Sequence, residues 1–433
     1  MYKFLVNNFF YYSVILFPIT FIVGIFITEI FLLFITLFFF VQNRNLDLFK
    51  DYKFIFFFLI SVYIGLNAFV QIDDELKISS IFHFRYIIFS ISILFWFKYF
   101  ENFKYEKKNN ILYVLFFIII LVLFDAFFQF LYGENLLGYE ISKNRISGIF
   151  GTELILGSYL LKILPIITWL LFYKNFNIKK NEKNLIIFFS FYFFCIFLTG
   201  ERTSFGLSIF FIISIIFLIH SLKKIFLYSL LNLFILISVI FFFNIGKTDP
   251  TNRIFIKTFN QFTNQYFIKE DPDKLSMKDS DSKKEIIKDN ILIFSEDHTG
   301  HYKLAFEIFK KNPIFGAGPK GFRHYCRKVN YDPQVGICST HPHNFLVQIT
   351  TETGLVGLFF YCYIIFFLVL KLINCAKIKT LINNRLSLII ISIGLLINLF
   401  PFLPSGNFFN NWISIINYYF LGIYFYSYNK VYN

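Results

Sequence analysis

The segment Ser339 to Tyr361, STHPHNFLVQITTETGLVGLFFY, gathers the residue types that move protons. His341 and His343 flank a proline just ahead of an apolar run. An imidazole titrates near neutrality, so a histidine at a helix mouth is placed to take a proton from a hydroxyl. Asn344 can cap the helix that follows. Asn344, Gln348 and Glu352 recur at i, i+4 spacing and share one helical face. Gly354 and Gly357 leave room for close helix approach. A lone histidine here would read as a solvated loop residue; two of them, a polar face and paired glycines favour a site. His341, His343 and Glu352 are also conceivable metal ligands. The chain has no HExxH and no Cys/His cluster with zinc spacing, so no metal is expected.

Three arginines form a second set: Arg85 in HFRYIIF, Arg145 in KNRISGIFGTELILG and Arg202 in LTGERTSFGLS. An arginine at membrane depth is costly unless paired, wet or functional. The plainer reading is a side chain snorkelling to the interface, and for Arg85 the two readings stay open. Arginine grips phosphate oxygens through two parallel hydrogen bonds and keeps its charge, so together these residues could line a pocket for an anion. The GAGPKGF stretch shares only its glycines with a phosphate loop and reads as a turn. Cys326 and Cys338 bracket RKVNYDPQVGI; in an oxidising compartment they could close a small loop worth roughly 3 kcal/mol. Cys195, Cys362 and Cys375 lie in or beside apolar runs.

These residues must be positioned by an unusually apolar chain. Of 433 residues, 57% are hydrophobic, 23% aromatic and only 16% charged, with 68 Phe. Ordinary soluble domains carry roughly 25% charged residues, and disordered chains lack this apolar surface. The expected class is all-α: a polytopic integral membrane protein. A barrel is disfavoured because the apolar runs are continuous rather than alternating. The first run, Phe9 to Val41, is broken only near Thr28 and Glu29 and lacks a small-residue cleavage site, so it reads as two short spans rather than a signal. Runs follow at 54–70, 82–97, 111–132, 154–173, 185–199, 205–221, 225–245, 345–370, 386–403 and 412–428, giving about 12 spans.

The net charge of +14 is explained by sidedness rather than by nucleic-acid binding. One set of short loops carries 19 Lys and Arg; the opposite short loops and helix mouths carry only Lys77, Arg85, Lys143, Arg145 and Arg202. The basic side is expected to face the cytoplasm, together with both termini. The chain then divides into spans over 1–245, a periplasmic loop over 246–341 and final spans over 342–433. The loop's middle, 269–289, has the mixed-charge composition of a mobile segment. Its last part reads as a helix from His301 to Lys311, capped by Thr299, stopped by Asn312-Pro313 and followed by a turn through Gly316, Gly318 and Gly321. No internal repeat is visible. A transporter of an anionic solute, the reading from a different class, should show repeat halves and charges at mid-membrane.

The His segment resembles the O-antigen ligase / O-antigen polymerase superfamily of bacterial envelope proteins. The ligase-type signature reads here as His343, Asn344, nine residues from Phe345 to Thr353, Gly354, Leu355, Val356 and Gly357. The ISGIFGTELILGSYL segment, the TGERTS hairpin and the KNPIFGAGPKGF turn are weaker likenesses. The resemblance implies a GT-C-like glycosyltransferase in the inner membrane, needing neither metal, nucleotide nor other cofactor. It implies an undecaprenyl-diphosphate-linked glycan as donor and lipid A core oligosaccharide as acceptor. A polymerase using the same donor and a protein O-glycosyltransferase are its alternatives. It casts His343 as general base and Arg202 as a ligand of the diphosphate, with Arg145 and Arg85 as further candidates. Where many members have an arginine ahead of the loop helix, this chain has His301, so Arg253 or Arg323 is expected to supply the second diphosphate ligand.

Overall fold

In a bilayer every backbone N–H and C=O must be satisfied within its own segment, so each apolar run folds as a helix. The computed structural model describes residues 2–43, 49–73, 76–102, 110–260, 296–328, 337–378 and 382–432, and no strand occurs among them. The N-terminal half consists of α1 (Tyr2–Ile15), α2 (Thr20–Val23), α3 (Ile25–Gln42), α4 (Tyr52–Gln71), α5 (Leu76–Ile81), α6 (Phe84–Asn102) and α7 (Asn110–Tyr132). There follow α8 (Leu156–Tyr173), α9 (Glu182–Leu198), α10 (Arg202–Leu218), α11 (His220–Phe243) and the π-helical turn α12 (Asn252–Ile256). The remainder comprises α13 (Glu296–Lys311), α14 (Gly321–Lys328), α15 (Phe345–Lys377), α16 (Ile382–Asn398) and α17 (Asn411–Tyr432).

Seven helices among the described residues are long and apolar enough to cross a membrane, and Arg202–Leu218 and Asn383–Asn398 are shorter apolar helices. The chain is therefore a polytopic helical membrane protein. None of the seven lies between Phe243 and Phe345. The expected mixed-charge stretch 269–289 falls outside the described residues.

Two local expectations need correction. The first apolar run breaks at Leu16–Gly24, where Pro18 opens a 3-10 turn and Gly24 sits at φ 134°, not at Thr28–Glu29. Inside α3 the Thr28 hydroxyl donates back to the Gly24 carbonyl at 3.0 Å, and Glu29 is spent on Arg85. The loop helix is described from Glu296 onward, so Thr299 lies inside it rather than capping it. Its end after Lys311, ahead of Pro313, is as expected.

The core is one aromatic-rich cluster, with α16 packed between α8 and α15 and α17 packed on α6. Lys162 near the start of α8 donates to Asn398 at the end of α16 (3.4 Å), and Tyr361 of α15 donates to the Leu399 carbonyl (2.6 Å). These contacts bring the starts of α8 and α15 and the end of α16 to one end of the bundle. At the opposite end Lys53 meets Asn429 (3.3 Å) and Lys430 meets Glu101 (2.6 Å). A small satellite core of Leu304, Ala305, Ile308 and Phe322 packs α13 and α14 together, with Val347 of α15 against it.

Candidate functional site

Asn344 fixes the entrance of α15. Its Oδ1 accepts from the Val347 N–H at 3.0 Å, and its amide donates to the Pro401 carbonyl at 2.9 Å. One side chain thus caps a helix and ties it to the segment leaving α16. The Ser405 N–H donates to the His343 carbonyl at 2.9 Å, and His343 is held at φ 60°. That left-handed conformation is uncommon for a residue with a Cβ and is concentrated at sites the surroundings over-determine.

Around His343 lie three more imidazoles. Ring centroids stand 4.0 Å from His341, 5.2 Å from His301 and 5.7 Å from His298. His343 Nε2 is 3.1 Å from the Ser339 hydroxyl. His301 Nδ1 lies 2.8 Å from the Ile337 carbonyl, an acceptor only, which makes Nδ1 the donor. By the same reasoning His341 Nε2 donates to the Ser405 carbonyl (3.3 Å) and Nδ1 accepts from Thr340 (2.8 Å). Burial, then the neighbouring His301 and His298, lowers the His343 pKa to about 4. Burial, then His343, lowers that of His341 to about 3. Both rings are neutral at physiological pH and able to accept a proton. Cys326 and Cys338 are joined in a disulfide, Cα to Cα 5.7 Å, which anchors Ile337 and hence His301.

The polar face of α15 is satisfied internally. Gln348 donates to Glu352 (2.9 Å) and Asn407 (2.8 Å), and its carbonyl accepts from the Phe408 N–H (2.9 Å). Glu352 is fully buried and accepts from the backbone N–H groups of Lys320 (3.0 Å) and Phe322 (3.2 Å). Its carboxylate therefore staples the turn after α13 to α15. Gly354 is the break point of α15, at φ 64° and ψ −165°. There the Leu355 N–H donates to the Pro313 carbonyl at 2.9 Å, and the Gly316 backbone lies against Gly354. This glycine admits the 313–318 loop; Gly357, one turn further, lines an apolar cavity.

The arginines divide into two groups. Arg145 pairs with Glu201 at 2.9 Å and donates to the Leu154 carbonyl at 3.0 Å. Arg202 donates to the Arg253 carbonyl and Arg253 to the Gly200 carbonyl, each at 3.0 Å. Arg145, Arg202 and Arg253 thus share the α9–α10 turn. Burial, then the Arg145 and Arg202 charges, lowers the Arg253 pKa, though a guanidinium stays charged. Glu201 also accepts from Ser204 (2.8 Å), Ser158 (3.0 Å) and the Gly157 N–H (3.2 Å). A Cβ on Gly157 would come within 2.9 Å of the Glu201 carboxyl carbon, so only glycine lets α8 approach this turn.

Arg85 is elsewhere: it meets Glu29 at 3.4 Å, the Ser79 carbonyl at 3.2 Å and the Tyr86 hydroxyl at 2.5 Å. Arg323 lies within electrostatic reach of Lys320 and His341. His298, Ser339 and Ser405 were not singled out from sequence. The i, i+3 spacing of His298 and His301 was the available signal for the first; the other two depend on contacts between distant segments.

This combination defines a polytopic membrane protein with an imidazole cluster and an arginine cluster at one end of its helical bundle. Residues 187–362, from α9 to the first turns beyond the α15 break, match the family model described as O-antigen ligase. The match supports the likeness to the O-antigen ligase superfamily read from His343 to Gly357. No curated protein matches the chain.

Proposed function

We propose that this protein transfers a glycan from undecaprenyl diphosphate to lipid A core oligosaccharide at the periplasmic face of the inner membrane. The reading comprises about 12 spans, cytoplasmic termini and a periplasmic loop over 246–341 between spans in 1–245 and 342–433. The single observation that carries it is the placement of neutral His343 among three imidazoles at the capped entrance of α15, at the end of the bundle that also holds the arginine cluster. The family match covers the four imidazoles together with Arg202 and Arg253, while Arg145 precedes it.

In the proposed step an acceptor hydroxyl attacks the anomeric carbon of the donor glycan. The new C–O bond forms as the bond to the diphosphate breaks, and the bonding pair leaves with the diphosphate. The hydroxyl proton passes to His343. Arg145, Arg202 and Arg253 stabilise the charge that develops on the leaving group. A base with a pKa near 4 is weak for this task, but the arriving diphosphate favours the imidazolium and raises that pKa. His341, His301 and Asn344 hold the ring and its loop.

His343→Ala should abolish transfer, a loss of about 10²–10⁴-fold, while the protein remains inserted and melts like the native chain. Full activity in that variant removes His343 from the mechanism. Lipopolysaccharide from a deletion strain identifies the acceptor. Loss of a ligase leaves core without a ladder and lipid-linked polymer accumulates. Loss of a polymerase, which would use the same donor, leaves core bearing one repeat unit.

A further inference from the structure

Between α4, α15, α16 and α17 lies a cavity of about 220 Å³. Phe56, Phe57, Phe360, Phe409 and Tyr418 are among its walls, and it runs from Lys53 at one end of the bundle to His83 and Thr353 at the other. It is smaller than the roughly 300–1,000 Å³ usual for compact ligands, yet spans the bundle lengthwise, as a slot for one hydrocarbon chain does. Cations gather at its His83 end. Lys320 donates to the Ser79 hydroxyl at 2.5 Å, and Arg85 donates to the carbonyl of the same Ser79 at 3.2 Å. Both charges act on His83, and Arg323 acts on Lys320. Burial first, then the Arg323 charge, pulls the Lys320 pKa down, and Glu352 opposes the shift. Glu29 is bonded to Arg85, and Glu352 is bonded to two backbone amides and Gln348.

This group is separated from the arginine cluster by α16. Leu395 and Leu399 line the cavity on one side of that helix. On its other side Asn398 meets Lys162 of α8, and Phe400 just beyond it packs on Phe210 of α10.

We propose that the cavity and the Lys320, Arg85 and Arg323 cations form a second lipid site, which holds a single-chain polyprenyl phosphate apart from the Arg145, Arg202 and Arg253 cluster. The phosphate meets the cations and the isoprene units nearest to it lie along the aromatic slot. Only the choice of a polyprenyl chain rests on the function proposed above.

Native mass spectrometry of the full chain in detergent, with C55 polyprenyl monophosphate as probe, counts the bound lipids. Two are expected for the native protein and one for Arg202→Ala. Lys320→Gln combined with Arg85→Gln should weaken one of the two by about tenfold or more. Ile60→Trp, which narrows the slot and leaves every cation in place, should do the same, and Lys320→Arg should retain binding. A single lipid on the native protein overturns the proposal. So does loss of both lipids in Arg202→Ala, or displacement by phosphatidylglycerol at equal concentration, which would mark an ordinary bilayer contact. The count does not depend on catalysis: if it fails while His343-dependent transfer persists, only the second site falls.

Discussion

Replacing Glu352 tests whether the loop over the site is held by one buried carboxylate. Glu352 is 0% exposed and accepts from three donors: Lys320 N–H, Phe322 N–H and the Gln348 amide. Glu352→Ala leaves all three without that acceptor. Each buried donor so orphaned costs about 1–3 kcal/mol, and relief of the carboxylate's own desolvation offsets part of the sum. A net loss of about 3–6 kcal/mol is expected, a large share of the roughly 5–15 kcal/mol that keeps a protein folded. Glu352→Gln keeps one acceptor oxygen but turns an NH₂ group toward a backbone N–H, costing about 1–3 kcal/mol. Thermal unfolding in detergent, followed by the fluorescence of Trp96, Trp169 and Trp412, should order the variants native, Gln, Ala. Transfer activity should fall in the same order, because the stapled turn leads into α14, which carries Arg323 and packs against the helix bearing His301. An Ala variant that melts with the native protein, or a Gln variant worse than Ala, refutes the reasoning.

The acid limb of kcat/KM should lie near pH 4, set by His343 in the free protein, and that of kcat should lie higher because bound diphosphate favours the imidazolium; coincident limbs near the ordinary histidine value would contradict this. The stability consequence has a definite sign. The folded pKa lies below the unfolded value of 6.5, so stability falls as pH drops from about 6.5 to about 4 and then levels off, which pH-resolved melting detects. Gly354→Ala should cost about 2–5 kcal/mol, since its backbone lies in a region reserved for glycine and the new Cβ meets the Ile314 carbonyl; a native-like melting curve would count against the break. Cys338→Ser should remove roughly 3 kcal/mol and slow transfer severalfold by releasing Ile337 from His301. A thiol reductant should reproduce that loss in the native protein and add nothing in the variant.

By itself the sequence determined whatever is periodic or local along the chain. Continuous apolar runs dictated helices, because lipid leaves the backbone no other way to satisfy its polar groups. The i, i+4 spacing put Gln348 against Glu352, and Asn344 announced its cap. The Cys326–Cys338 spacing signalled a bridge, and the His343 to Gly357 pattern pointed to the family that the 187–362 match supports. Tertiary structure alone divided the arginines, joining Arg145, Arg202 and Arg253 while sending Arg85 to Ser79 and Glu29. It also turned the Gly354 spacing into a helix break filled by a loop, and brought His298 and His301 to His343. The physical reason is reach. A hydrogen bond between Lys320 and Ser79, 241 positions apart, leaves no periodic trace, because neither residue's local conformation depends on the other until the helices have packed.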